Sequence, residues 1–543
     1  MARVEAALAA GFHVAGWFGY ELGYALEPHL GVGPPHNGPL LWFCVCGAPK
    51  AAGREELATP LRAYAGPLLP EWDAAAYAAR FARVHDYIAA GDIYQANLSF
   101  RARFRFAGDP LALHARLRPK ALAAHGAFID DGERQILSLS PEQFFAIDAQ
   151  GRITARPMKG TAPRGADAPS DARAKAALAA SAKDRAENLM IVDLVRNDIG
   201  RLALIGSVEA REMFAVETYP TLHTMVSTVT AQLRPATRVE QIVRALFPCG
   251  SITGAPKIRA MQIIRELEQS PRDVYCGAIG MFAPDGSAMF NVAIRTITIK
   301  DGWGTLGIGG GVVQDSSAAS EYAECLLKAR YVTEGREPIG LIETLRHEQG
   351  FVRLERHLAR MRRSAEFFGL RFDEAEARAA LHDAVADREG ALRVRLTLDE
   401  QGGFACSAAP LGPAPARWTF ALSPHCVQSG DTLLRHKTTW RMFHDAEQAR
   451  SGADEALFVN ERGELTEGSR STLFLRRGGR LLTPPLRCGL LDGVLRRELL
   501  ETGQCDEAVL GPDDLAAAEE VLLGNSLRGL IRAEPRIPPT PGR

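Results

Sequence analysis

Residues 307–329 read GIGGGVVQDSSAASEYAECLLKA, a glycine-rich run that passes within a few residues into a helix-forming segment. The run GIGGGVV at 307–313 suits either a backbone cradle for an anionic ligand or a kinked strand. It is not a Rossmann fingerprint, since no strand–helix unit with a later acidic residue surrounds it. Glu324 and Lys328 stand four apart on the expected helix, the spacing of an ordinary solvated ion pair. A second helical stretch, KDRAENLMIVDLVRND from Lys183, carries Glu187. Carboxylates brought together from two such helices suit a hard divalent ion such as Mg²⁺, although surface helices are rich in glutamate anyway.

Outward from this stretch, QANLSFRARFRF, LSLSPEQFFAI, GRITARPMKG, CGAIGMFAP and SAMFNVAIRTITI alternate in the manner of strands. Residues 74–90 place Tyr77, Phe81, Val84, Tyr87 and Ile88 at helical spacing and end at Gly91. Residues 1–70 read as short strands and loops broken by GVGPPHNGPL and ATPLRAYAGPLLP. Downstream, TEGREPIG at 333–340 is polar and lies between two periodic regions, which marks it as a linker. The pattern then restarts: IETLRHEQGFVRL as a hairpin, ERHLARMRRSAEFFG as a helix, ALRVRLTLDEQGGFACSAA as another hairpin. The tail 534–543, EPRIPPTPGR, is Pro-rich and expected to be disordered. No internal repeat is present. Two unlike domains, each of helices and strands, are expected at 1–332 and 341–533.

The composition, 46% hydrophobic and 24% charged over 543 residues, is that of a globular protein. Sixty-four basic residues balance 65 acidic ones, which excludes a strongly basic nucleic-acid binder at the level of the whole chain. No apolar run reaches membrane-span length, and the start lacks the basic region and cleavage site of a signal peptide. Nine scattered cysteines without a CxxC pair fit a reduced, cytoplasmic enzyme. Only nine of the 64 basic residues are lysines, and arginine cannot supply a neutral amine nucleophile. Residues 338–533 retain a single one, Lys437 in LLRHKTTWR.

A pyridoxal phosphate enzyme needs one such amine, an acid near the pyridine nitrogen and donors for the phosphate. Glu467 in LTEGSRSTLF, Arg356 in RLERHLARM and the N–H groups of Val494 and Leu495 at an expected helix start meet those needs beside Lys437. Each also has an ordinary reading, as a turn residue, a surface charge or a chance survivor.

Six segments occur in an order that resembles the chorismate-utilising enzymes: PMKGTAPRG (157–165), KDRAENLMIVDLVRNDIGR (183–201), FPCGSITGAPKIRAM (247–261), VYCGAIG (274–280), FNVAIRT (290–296) and the opening stretch. That family includes anthranilate, isochorismate, salicylate and aminodeoxychorismate synthases. The resemblance implies an α+β fold of large antiparallel sheets with outer helices. In the PMKGT segment, anthranilate synthases have Ala where this chain has Lys159, and a Lys there marks aminodeoxychorismate synthase component I. The implied chemistry is a covalent Lys159 intermediate in amination at carbon 4 of chorismate. The resemblance further implies that Glu187 and Glu324 hold Mg²⁺, that Glu142 acts as acid or base, and that His223, Ser251, Tyr275, Arg295, Gly309, Gly311 and Lys328 contact substrate; Lys257 would support the fold. Leading strands of the family are absent before Trp17, so no tryptophan pocket is expected there. No Gly-x-Cys-x-Gly elbow with a downstream His-x-Glu is present, so ammonia would come from a separate glutamine amidotransferase or from solution.

The second half resembles the class IV aminotransferases, fold-type IV pyridoxal phosphate enzymes of α/β two-subdomain build. The resemblance rests on GLIETLR, RLERHLARMRRSAEFFG, HKTTWR, GADEALFVNERGELTEGSRSTLF, TPPLRCGLLDGVLRREL and EVLLGNSLRGL. Leu495 stands where relatives often place a phosphate-binding Thr. Asn525, Ser526 and Arg528 would face substrate carboxylates, and a homodimer through this domain is expected. Joined to the first half, a 4-amino-4-deoxychorismate lyase is implied, completing 4-aminobenzoate synthesis for folate. The alternatives are an anthranilate-type or aminodeoxychorismate synthase fused to a D-amino-acid or branched-chain aminotransferase, and a non-catalytic scaffold.

Overall fold

The computed structural model describes residues 1–31, 33, 36, 38–51, 62–121, 124–219 and 222–536. It is an α+β protein of two compact units, the chain passing from one to the other between Glu334 and Gly335. Residues 62–66 and 105–109 are grouped with the second unit.

The first unit is built on two sheets. One runs, edge to edge, Met158–Pro163, Leu222–Gln232, Arg152–Ala155, Gln143–Ile147, Ala288–Val292, Ala278–Phe282, His13–Phe18 and Leu41–Cys46, with Glu209–Thr218 also paired to Leu222–Gln232. Its pairings are antiparallel. The other runs Gly254–Ala255, Gln95–Gly108, Trp303–Val312, Thr296–Lys300, Gln135–Ser140 and His125–Asp130. A core of Phe18, Phe145, Phe247, Phe282 and Phe290, ring against ring, fixes the first sheet. Full burial of each such ring contributes about 1.5–3 kcal/mol. The helix Ala182–Gly200 starts at Ser181, whose hydroxyl accepts from the Asp184 N–H, and Ala318–Ala329 starts at Ser317 in the same way. These two capped helices carry Glu187 and Glu324.

The second unit has a three-stranded antiparallel sheet, Leu341–His347, Leu392–Leu398 and Phe404–Pro410, covered by the helices Leu354–Phe368 and Glu374–Asp383. Its other sheet is mixed and runs Leu465–Gly468, Glu455–Val459, Arg417–Leu422, Gly529–Pro535, Glu520–Asn525, Thr472–Arg477, Arg480–Thr483 and Asp506–Glu507. The pairing of Glu467 with Thr472 closes six of these strands into a ring. Along LRVRLTL at 392–398, Leu392, Val394, Leu396 and Leu398 enter the core while Arg393 and Arg395 point the other way, as a period of two requires.

Three local expectations change. Residues 2–9 form a helix rather than a strand or loop. Residues 341–353 make only a minimal hairpin: His347 bridges antiparallel to Phe351 and the Val352 N–H donates to the Arg346 carbonyl, while the length of the strand Leu341–His347 pairs with Leu392–Leu398 and the chain passes into the helix. Residues 534 and 535, expected in a disordered tail, end a strand paired to Thr419 and Phe420, because a neighbouring strand satisfies their backbone groups. Residues 537–543 of that tail lie outside the described residues.

Candidate functional site

In the first unit the two sheets bring several of the sequence-named residues together. Lys159 sits where the pairing of Met158–Pro163 with Leu222–Gln232 slips between Met158 and Thr161. The irregularity re-aims the side chain, and Gly160, at φ +83° beside the Asp184 carboxylate, permits it. A methyl built on Gly311, on the strand Trp303–Val312 of the other sheet, would lie 3.4 Å from Lys159 Nζ and 2.3 Å from the Gln95 amide nitrogen. One on Gly310 would meet a Glu321 carboxylate oxygen at 2.9 Å and Lys328 Nζ at 3.8 Å. The Gly309 carbonyl accepts from Lys328 Nζ at 3.0 Å, and its Cα is closed in by Ser99 and the Leu98 carbonyl. The glycine run is thus a strand against which side chains close.

Glu142 is buried, and its carboxylate accepts from the Ser251 hydroxyl at 2.8 Å. Burial pushes its pKa up to about 7, against the opposing pull of Ser251 and of the Lys159 charge. Burial lowers the pKa of Lys159, with Glu142 and Glu187 working the other way. Among the described residues the lysine ion pairs are Lys183–Glu187, Lys257–Asp198, Lys300–Glu133 and Lys328–Glu324, so Lys159 is in none of them. Lys257 also donates to the Leu246 carbonyl.

The remaining named residues divide. Tyr275 packs its ring on Gly307. Arg295 takes a left-handed backbone at φ +48°, and among the described residues its side chain makes one long bond, to the Ala121 carbonyl. His223 has both ring nitrogens engaged, one by Asp171 at 3.0 Å and one by Thr218 at 3.0 Å. Glu324 is ion-paired to Lys328 at 2.9 Å and half exposed, and the carboxylate of this helix that acts on Glu187 is Glu321. No group of three His, Cys, Asp or Glu capable of holding a metal occurs among the described residues. Two carboxylates with water in the other positions still satisfy Mg²⁺. Sequence reasoning missed Glu321, Asp171 and Gln95. Gln95 is fully buried with neither amide atom hydrogen-bonded, although the sequence places it on the polar face of an alternating strand, with Asn97 and Ser99.

In the second unit a cavity of about 1040 Å³ is lined by Lys437, Glu467, Arg360, Gly493, Val494 and Leu495, and also by Asn525, Ser526 and Arg528. Desolvation of the Lys437 amine lowers its pKa to about 8. The Lys437 carbonyl accepts from Ile342. Glu467 is likewise pushed up to about 7 by burial and accepts from the Leu491 N–H at 3.1 Å. The helix Val494–Glu501 opens without a side-chain cap, so its first N–H groups are available to an anion. The Leu495 side chain packs toward Gly524 and into the core, leaving only its backbone for that purpose. One lysine, one acid and a cationic, N–H-rich corner on one cavity form the donor set that pyridoxal phosphate requires.

Arg356 is absent from this cavity: it pairs with Glu501 on the surface, as Arg353 does with Glu498. The buried stripe of its helix runs through His357, Arg360, Met361, Ser364, Ala365 and Phe368, so the 3.6-residue period brings Arg360 inward and leaves Arg356 outside. Arg393, Arg395 and Thr344 also line the cavity, on the sheet face opposite the core, and neither arginine has an acidic partner in an ion pair among the described residues.

Comparison with known proteins agrees with this division. The profile of chorismate binding enzymes matches residues 1–334, and that of amino-transferase class IV matches 340–534. The chain is 45% identical over 261 residues to aminodeoxychorismate synthase component 1 of Escherichia coli, 48% of this chain and 57% of that protein. It thus spans little more than half the length of this relative. The crystal structure of anthranilate synthase component I from Streptococcus pneumoniae superposes with a TM-score of 0.53 at 28% identity, covering 60% of this chain and 81% of that one. A protein from Mesorhizobium loti, assigned as an amino-acid aminotransferase, is 41% identical over 36% of this chain and 100% of its own, with a TM-score of 0.36. The chain belongs to the family of chorismate binding enzymes and carries an amino-transferase class IV domain in its second half.

Proposed function

We propose that the chain makes 4-aminobenzoate in two steps, amination of chorismate followed by loss of pyruvate. The observation that carries the first step is Lys159, an unpaired amine of lowered basicity beside the protonatable Glu142 and under Gly311. Similarity to an aminodeoxychorismate synthase component supports it. The neutral Lys159 amine adds at carbon 2, the two ring double bonds shift, and the carbon 4 hydroxyl leaves as water on taking a proton from Glu142. Ammonia then adds at carbon 4 and expels the lysine from carbon 2, so that chorismate and ammonia give 4-amino-4-deoxychorismate and water. Arg295 holds the enolpyruvyl carboxylate through its guanidinium fork. Ser251, Tyr275, His223, Gly309 and Lys328 line the substrate, His223 after exchanging Asp171 or Thr218. Glu187 with Glu324, and Glu321 at hand, would hold Mg²⁺, which supplies positive charge for the ring carboxylate.

In the second unit pyridoxal phosphate, when bound, supplies an electron sink. Lys437 holds it and takes the proton from carbon 4 of the substrate, and its pKa near 8 makes it a competent base. Glu467 would pair with the pyridine nitrogen, and Arg360, Val494, Leu495 and Asn525 would hold the phosphate, while Arg393, Arg395 and Arg528 would hold the two substrate carboxylates. Loss of the enolpyruvyl group as pyruvate leaves the aromatic ring.

Ammonia comes from a separate glutamine amidotransferase, and the enzyme works in the cytoplasm as a homodimer. No helix among the described residues is long and apolar enough to cross a membrane. The match of residues 340–534 to amino-transferase class IV favours a second reading of the latter half as a transaminase. Incubation with chorismate, Mg²⁺, ammonium and pyridoxal phosphate separates them. 4-Aminobenzoate with pyruvate supports both steps, anthranilate refutes the role of Lys159, and accumulating 4-amino-4-deoxychorismate with amino transfer to a keto acid selects the transaminase.

A further inference from the structure

Glu343 lies in the strand Leu341–His347 between Ile342 and Thr344, which face the cavity, and so points to the opposite, core face among Leu341 and Leu345. It is 1% exposed. A carboxylate taken this far from water is costly unless every oxygen is paired, and a leucine would serve the packing better. All of its pairing goes to two residues of the covering helix. Arg360 binds it with two N–H groups, at 2.8 and 2.6 Å, and His357 Nδ1 lies 2.5 Å away. The third Arg360 bond goes to the Asp492 carbonyl, directly before the residue that opens the helix Val494–Glu501. A guanidinium has five N–H groups, so two remain, on a residue that lines the cavity. His357 Nε2 is 2.8 Å from the Ser526 hydroxyl, which lines the same cavity from the end of the strand Glu520–Asn525. One buried carboxylate thus fixes two polar groups that come from different elements and meet at the anion-binding corner.

We propose that Glu343 is a positioning residue for the phosphate corner: it aims the Arg360 fork directly, and the Ser526 hydroxyl through His357, at the phosphate of the cofactor. This rests on the reading that the second unit holds pyridoxal phosphate. Glu343→Gln keeps the shape but turns an N–H₂ toward donors, so Arg360 loses one side of its clamp and His357 its acceptor.

The test compares two ligands on the full-length chain, pyridoxal phosphate and pyridoxal, which has no phosphate, by equilibrium dialysis and by the absorbance of the bound cofactor. A positioning role weakens pyridoxal phosphate binding about 10- to 100-fold, the range of a charge-assisted hydrogen bond, and leaves pyridoxal within about threefold. Equal losses for both ligands, or none for either, overturn the proposal, because a merely structural role cannot tell the ligands apart. If Glu343→Gln does not fold, Ser526→Ala reads the same ratio at the far end of the relay: a selective loss of about fivefold for the phosphate form is expected, of the size of one neutral hydrogen bond, and an unchanged ratio overturns the proposal. A wild-type chain that binds neither ligand would sink the cofactor reading itself, which separates that failure from failure of the relay.

Discussion

Replacing Glu142 by Gln tests the acid assigned to the first step. The side chain is buried, accepts from Ser251 at 2.8 Å, and has its pKa moved from an ordinary 4.5 to about 7. That displacement corresponds to about 3 kcal/mol in favour of the protonated form. The carboxyl therefore holds a proton at pH 6 that an exposed glutamate would have lost, and it can give that proton to the departing hydroxyl. Gln keeps the shape and the hydrogen bond but has no acidic proton. Synthase turnover should fall by about 10²- to 10⁴-fold, the usual contribution of a positioned acid. The assay follows chorismate consumption at a fixed concentration of free ammonia, so that ammonium titration does not enter. In the wild type the rate should decline as pH rises through about 7, where Glu142 ionises. The variant should lose the upper limb. The sign also holds for stability: a raised carboxyl pKa favours the folded state below the unfolded value and loses that advantage as pH climbs through the folded one, so Glu142→Gln should remove a drop between about pH 4.5 and 7. A variant within threefold of wild-type turnover, with the alkaline limb intact, would refute the role of Glu142.

Lys159→Ala should abolish 4-amino-4-deoxychorismate formation while leaving its breakdown intact, and Lys437→Ala should do the reverse, measured by separate assays with chorismate and with the aminated product; loss of both activities in each variant would count against two independent sites. Arg360→Ala should weaken pyridoxal phosphate binding by at least about 10-fold, the loss of a charge-assisted contact, whereas Arg356→Ala, on an exposed pair with Glu501, should change it little; equal effects would return Arg356 to the site. The glycine run should separate stability from catalysis. Gly309→Ala meets the Leu98 carbonyl at 2.6 Å and Ser99 Cβ at 2.5 Å and should cost about 1–3 kcal/mol by denaturation, the usual penalty of overpacking. Gly311→Ala meets only the movable ends of Gln95 and Lys159 and should spare stability while impairing turnover.

What the sequence determined by itself was the kind of chemistry and the position of its rarest residues. In a chain that uses arginine for nearly every positive charge, Lys159 and Lys437 were conspicuous without any structure, and ordered motifs around them implied two unlike domains. Local propensity also placed the capped helices that carry Glu187 and Glu324, because a cap and an apolar period are written in neighbouring residues. Which residues share a site was decided only by tertiary structure. Gln95, Glu321 and Arg360 reach their places through pairing and packing between segments far apart in the chain. Their place in a site depends on a neighbour that no local window contains. Arg356 and Arg360 look alike in sequence, yet a 3.6-residue turn beneath a packed sheet sends one to the cavity and leaves the other in water. Glu343 shows the same division: its strand was legible from alternation, but that a carboxylate there is satisfied by Arg360 and His357 rather than exposed follows only from the helix that covers it.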